Sequence, residues 1–186
     1  MPYQYDIKEL QHQIALYEDK EAYKKLFYML FPSLQNFAYS ITRSRQTAEE
    51  ITSDILADVW EKRNKIVEIE NLRLYLFVCI KNAALRKLQQ ERKLTQISLD
   101  NLHTEFISDY SSPEELLQLS ETQKSISEAI RQLPSRCKLI YKLAKEDQLK
   151  YKEIASLLNI SVKTIDTQLS IALRKIATSL FKKIQH

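Results

Sequence analysis

The chain has 186 residues, 44% apolar and 28% charged, with a formal net charge of +4, enough for one ordinary domain or two small ones. It has no glycine, and its four prolines stand at positions 2, 32, 113 and 134. That composition excludes Gly-rich phosphate loops, dinucleotide fingerprints and nucleophile elbows and disfavours tight hairpins, which leaves an all-helical protein.

Residues 1–93 read as one helical unit. Ala22, Leu26, Leu30, Leu34, Phe37 and Ile41 trace a helical stripe, with Pro32 marking a break and restart. Thr47 is placed to cap the next helix, and Glu50 three residues on completes a capping-box pattern. That helix turns Ile51, Ile55 and Val59 inward and carries Trp60 near its end. The polar stretch Arg63 to Asn71 reads as a loop. A long helix then runs from Leu72 to Lys93, with Leu72, Leu76, Cys79, Ile80, Ala83 and Leu88 toward the core and Lys81, Arg86, Gln89 and Lys93 outward. Tyr75 and Phe77, at helical spacing, read first as core and second as stacking groups for bases.

Charge is distributed in blocks. Residues 78–93 hold five bases (Lys81, Arg86, Lys87, Arg92 and Lys93) against Glu91. Residues 94–123 hold six acids (Asp100, Glu105, Asp109, Glu114, Glu115 and Glu121) and no base. From Asn159 onward there are again five bases and one acid. Either basic block alone reads as a solvated charge run, but two of them separated by an acidic stretch are harder to dismiss as that. Residues 94–122, rich in Ser, Thr and acids, read as a flexible acidic linker between two small helical domains.

Helicity resumes from about Ser112, with Leu116, Leu119, Ile126 and Ile130 leading to a break at Leu133-Pro134. The second domain, residues 123–186, continues with Leu139, Ile140, Tyr141 and Leu143 on a helix. Next comes YKEIASLLNISVKTIDTQLSIALRKIA, Tyr151 to Ala177, which reads as helix, tight turn, helix. Ile154, Ala155 and Leu158 face inward, Ile160 plugs the turn, and Ala155 is small where two helices cross. Asn159 is suited to a left-handed turn residue and Ser161 to an N-cap. Ile165, Leu169, Leu173 and Ile176, at spacings of four, four and three, form the inward stripe of the second helix. Lys163, Thr164, Asp166, Thr167, Ser170 and Arg174 remain outward, a polar set of the kind a helix presents to the DNA major groove.

With both halves in view, the chain resembles a bacterial RNA polymerase sigma factor of the extracytoplasmic-function group, the minimal sigma factors that keep only the second and fourth domains. The resemblance spans about residues 20–93 and 120–178. AEEITSDILADVWEKR, Ala48 to Arg63, is similar to the family's core-binding helix through Glu49, Glu50, Asp54 and Trp60, with Ser53 where Gln is common and Leu56 where Phe is common. The resemblance implies that Glu49, Glu50, Asp54 and Asp58 bind core RNA polymerase; a carboxylate stripe suits an arginine-bearing partner helix. The helix from Leu72 resembles the promoter-melting and minus-ten-reading region, with Lys81-Asn82 where Arg-Asn is usual. Lys81, Asn82, Arg86, Gln89 and Lys93 are its implied DNA contacts, and Lys65 and Asn71 the candidates in the preceding loop, which in the family captures an unstacked base. Leu133-Pro134-Ser135-Arg136-Cys137 is similar to the start of the fourth domain, and implies polymerase-flap contacts near Ile140 and Tyr141. The helix-turn-helix is implied to read the minus-thirty-five element of promoter DNA, with Gln168 where His or Arg is frequent. The resemblance further implies that the acidic linker threads toward the RNA path, and that an anti-sigma factor masks the polymerase-binding surfaces. No sensory extension follows Ala177, so regulation is expected through such a partner.

Cys79 and Cys137 read as small buried apolar groups in a reducing compartment. His12, His103 and His186 are scattered, so neither a metal nor a cofactor is expected. No secretory signal or membrane-length run is seen, which points to a cytoplasmic protein without membrane insertion. No paired acid–base set suggests an enzyme. Two other readings stay open: a stand-alone helix-turn-helix regulator, which would dimerise on palindromic sites, and a helical adaptor that binds no DNA.

Overall fold

Ala22, Leu26, Leu30, Leu34, Phe37 and Ile41 draw one line down a 23-residue helix, and each is 4% exposed or less. The computed structural model describes residues 6–92 and 120–184, and the chain divides into two compact units, Met1–Ile97 and Ser98–His186. Within the described residues both units are helical, with no strand. The expected linker, apart from its last three residues, lies outside the described residues, as do Lys93 and the helicity expected around Ser112, Leu116 and Leu119.

The first unit contains α1 (Ile7–Tyr17), α2 (Lys20–Thr42), α3 (Arg45–Glu61), a single turn α4 (Arg63–Ile66) and α5 (Leu72–Arg92). Asp6 caps α1, accepting from the Lys8 amide at 2.9 Å, and Asp19 caps α2, accepting from the Glu21 and Ala22 amides at 2.8 and 3.1 Å. α2 is the spine, packed against α3 and α5, and Phe37 meets Phe77 of α5 edge to face at 5.2 Å. Each fully buried leucine on this spine contributes about 2 kcal/mol of apolar transfer.

Four local expectations are corrected. Pro32 does not break the helix: α2 runs through it. Pro32 and Tyr28, whose carbonyl loses its intrahelical donor, are both exposed, so solvent can satisfy that carbonyl. The cap of α3 is Ser44 rather than Thr47; its hydroxyl accepts from the Thr47 amide at 3.2 Å and contacts the Thr47 hydroxyl at 3.0 Å. The loop after α3 is not wholly irregular, because Arg63–Ile66 form one turn anchored by buried Ile66. On α5 the core positions are Leu72, Leu76, Phe77, Ile80, Ala84 and Leu88, while Cys79 and Ala83 are half-buried beside a cleft. Phe77 competes better than Cys79 for the space beneath α2 because it buries more apolar area.

The second unit contains α6 (Glu121–Arg131), α7 (Ser135–Tyr141), a π-helical turn (Lys142–Glu146), α8 (Tyr151–Leu158) and α9 (Val162–Ile184). Ser120 and Gln123 close a reciprocal capping box at 2.9 and 3.2 Å, and Pro134 ends the break before α7, as the sequence suggests. α9 packs against α6, α7 and α8. Its inward line is Ile165, Leu169, Ala172 and Ile176; Leu173, expected there, is 46% exposed. The small Ala172 joins Ala129, Leu133, Cys137 and Ile176 in one buried cluster, which a leucine would overfill. Without glycine, the chain takes positive φ at Glu18, Arg43, Gln148 and Asn159.

Candidate nucleic-acid interface

The end of α3, the α4 turn and one face of α5 enclose a cleft of about 290 Å³. Tyr75, Cys79, Asn82 and Arg86, spaced four, three and four, bring one stripe of α5 to it; α4 brings Lys65, and α3 brings Asp58. Val59, Ile66 and Leu76 supply buried apolar lining. Asn82, Arg86 and Lys65 are exposed, and Tyr75 is 47% exposed. The Cys79 side chain, first by hydrogen bond and then by charge, raises the Tyr75 phenol above its ordinary pKa. Asp58 pairs with Lys62 at 2.6 Å on the rim, and that hydrogen bond raises the lysine. An amide, an aromatic ring and three cations, one of them paired with Asp58, around an apolar floor suit a nucleobase flanked by phosphates.

Thus the structure gathers Lys65, Asn82 and Arg86, three of the expected DNA contacts, into one place. Gln89 is exposed one turn further along the same face. Lys81 is half-buried and does not line the cleft. Asn71 also stands apart: its side-chain oxygen accepts from the Leu74 amide at 3.0 Å and so caps α5. The expected polymerase-binding acids Glu49, Glu50 and Asp54 are exposed on α3, with Glu50 paired to Lys87 at 3.6 Å, whereas Asp58 belongs to the cleft rim. Trp60 is half-buried, 5.2 Å from the Tyr23 ring and 5.1 Å beneath the Arg63 guanidinium.

Sequence reasoning missed Gln11. This α1 residue is 2% exposed and donates through Nε2 to the carbonyls of Ile66 and, at 2.8 Å, Ile69. Its signal was a polar residue among Leu10, Ile14 and Ala15 on an otherwise apolar helix face.

In the second unit, α8 and α9 form the expected helix-turn-helix. Asn159 takes φ 54° and ψ 47°, and the Ile160 amide closes back on the Ala155 carbonyl at 3.0 Å. Ser161 caps α9, accepting from the Thr164 amide at 3.0 Å. Lys163, Asp166, Thr167, Ser170 and Arg174 are exposed, and Thr167 donates back to the Lys163 carbonyl at 2.9 Å. Thr164 is half-buried, its hydroxyl 2.8 Å from that of Ser161. Gln168 turns inward to accept from the Cys137 thiol at 2.9 Å. Tyr141 is half-buried, and burial raises its phenol. Ile140 has no exposed surface, which corrects its expected place among partner contacts: an isoleucine on the inner face of α7 supports the helix from within.

No group of three or more His, Cys, Asp or Glu among the described residues is placed to hold a metal, and no described helix is long and apolar enough to cross a membrane. Comparison with known proteins gives two family matches: Sigma-70 region 2 over residues 26–94, and Sigma-70, region 4 over residues 116–176. α1 lies outside both. The ECF RNA polymerase sigma factor RpoE of Cereibacter sphaeroides is 21% identical over 170 residues, 90% of this chain and 91% of that protein. Among solved structures, CnrH in complex with the cytosolic domain of CnrY is 16% identical, covering 95% of this chain and 99% of that one with a TM-score of 0.49. RpoE of Bartonella quintana, in complex with the anti-sigma factor NepR, is 20% identical over 86% of this chain and 97% of that one, with a TM-score of 0.46. The two family regions, in order and together covering most of the chain, show that it belongs to the sigma-70 family, as an extracytoplasmic-function sigma factor that directs RNA polymerase to promoters.

Proposed function

We propose that the cleft of the first unit captures an unpaired promoter base, and that the exposed acids of α3 hold the core polymerase. The observation that carries this reading is the convergence of Tyr75, Asn82 and Arg86 from α5 with Lys65 from α4 around an apolar floor. Asn82 reads the base edge, Lys65 and Arg86 hold the flanking phosphates, and Lys81, Gln89 and Lys93 contact the DNA outside the cleft. Residues 1–93 serve as the polymerase-binding and minus-ten domain, residues 94–122 as an acidic tether, and residues 123–186 as the minus-thirty-five domain. There Lys163, Thr164, Asp166, Thr167, Ser170 and Arg174 face the major groove and Tyr141 lies beside the polymerase flap.

The protein has no catalytic activity of its own and works in the cytoplasm, where an anti-sigma factor covers the polymerase-binding face until a signal releases it. Each DNA contact alone is modest; tethering by the polymerase raises the effective concentration of one site once the other is bound. Free protein therefore binds promoter DNA weakly and with steep salt dependence.

The test is assembly with sigma-free core polymerase. The double change Glu49→Ala, Asp54→Ala is expected to weaken holoenzyme formation by about tenfold or more, the scale of two charge-assisted contacts. Arg86→Ala is expected to leave assembly intact and to lower promoter opening. Core binding indifferent to both acids would overturn this placement of the polymerase contact.

A further inference from the structure

We propose that Gln11 is a positioning residue that holds the α4 turn as a wall of the base-capturing cleft; the inference rests on that reading of the cleft. A four-residue helix cannot hold its own shape, since one turn fixes several dihedrals for very few hydrogen bonds. Around the turn, the Lys65 N–H meets the Lys62 carbonyl at 2.8 Å, the Ile69 N–H the Ile66 carbonyl at 3.0 Å and the Glu68 N–H the Lys65 carbonyl at 3.3 Å. Yet this segment carries Lys65, Ile66 and Ile69 into the cleft.

What fixes it comes from α1. The single amide nitrogen of Gln11 has two hydrogens, and the two carbonyls it meets lie at the exit of the turn: Ile66, which also accepts from the Ile69 amide, and Ile69. Gln11 is buried among apolar neighbours, where a side chain without a donor would take from the Ile69 carbonyl the bond it receives from α1 and leave the Ile66 carbonyl with the Ile69 amide. A second tie runs in parallel: Glu18, just past α1, pairs with Arg63 at the start of α4 at 2.9 Å. Arg63 is itself fixed by donation to the Trp60 carbonyl at 3.1 Å and by stacking on the Trp60 ring. Both ends of the segment that presents Lys65 are thus tied to the N-terminal helix, which lies outside the matched family regions. α1 acts as a brace for the cleft, through contacts that leave the exposed acids of α3 untouched.

The test uses the full chain with core polymerase on genomic promoter fragments, with the wild-type protein assayed first. Gln11→Met keeps the volume and removes both donors. Amide hydrogen exchange at Glu68 and Ile69 is expected to speed up by about tenfold, with protection in α2 unchanged. Core affinity is expected to stay within about twofold, while promoter opening, read by permanganate reactivity of thymines, slows by about tenfold. Glu18→Gln, a surface change, is expected to shift exchange and opening in the same direction by about threefold, and it remains informative if the Met variant folds poorly.

Unchanged exchange at Glu68 and Ile69, or unchanged opening, in both variants would overturn the inference. So would a parallel loss of core affinity and of α2 protection, which would make Gln11 a general support of the fold. A wild-type protein that opens no promoter would remove the cleft reading itself, and the inference with it. That result differs from a wild type that opens promoters alongside equally active variants, which overturns the inference alone.

Discussion

The Cys137 thiol donates to the side-chain oxygen of Gln168 at 2.9 Å, tying α7 to the N-terminal third of α9. By the resemblance, Gln168 stands where His or Arg is frequent, and its oxygen is taken up by Cys137 within the domain. Gln168→Met is therefore expected to destabilise the second unit by about 0.5–1.5 kcal/mol and to leave promoter choice unchanged. Thermal unfolding of the full chain, beside transcription from a panel of promoter variants, checks both halves. A changed promoter preference at unchanged stability would contradict this assignment.

The same thiol has a pH signature. Burial raises Cys137 above its ordinary pKa. Because the folded pKa exceeds the unfolded one, the associated stability is present in full below the unfolded value of about 8.5 and declines as pH rises through the folded value. Between pH 7.5 and 9.5 the wild type is expected to lose more stability than Cys137→Ala, in paired urea titrations. At pH 8 iodoacetamide is expected to modify Cys137 about tenfold more slowly in the native protein than in urea.

Arg43 ends α2 at φ 62°, its amide bonded to the Tyr39 carbonyl at 2.9 Å. A side chain with a Cβ is disfavoured in that left-handed conformation, and glycine is not. Arg43→Gly is expected to stabilise the first unit by about 0.5–1 kcal/mol, net of the added freedom of the unfolded chain. Trp60, the sole tryptophan of the chain, lies in this unit, so its fluorescence in urea reads that transition selectively. A lower midpoint would show that the Arg43 side chain contributes more than its backbone strain costs.

Tyr75 and Phe77 are two residues apart and face different surroundings: Tyr75 is exposed at the cleft, and Phe77 is fully buried against Phe37. Phe77→Ala is expected to cost about 3–5 kcal/mol of stability. Tyr75→Ala is expected to cost under about 1 kcal/mol and to lower promoter opening severalfold through lost stacking. Urea titration and permanganate footprinting of the two variants separate core from contact.

The difference between those neighbours shows what was legible in the sequence. Stripes of large apolar residues were readable wherever burial required them, as in Leu26, Leu30, Leu34 and Phe37 on α2, and so was the turn chemistry of Asn159 and Ser161. Faces were misjudged by one position where small residues compete, at Ala84 against Ala83 and at Ala172 against Leu173, because periodicity does not show how close the neighbouring helix comes. Pro32 looked like a break because the exposure of Tyr28 was not visible. Within the candidate site, Asn82 and Arg86 followed from family spacing on α5. Gln11 did not, because its partners are backbone carbonyls more than fifty residues away.

The central claim is tested most directly by transcription with sigma-free core polymerase, with and without this protein, on genomic fragments. The account predicts initiation at discrete sites only when the protein is present. It further predicts that Lys163→Ala and Arg174→Ala each weaken those sites and reduce the salt slope of promoter binding by about one. No initiation together with no association with core polymerase would contradict it.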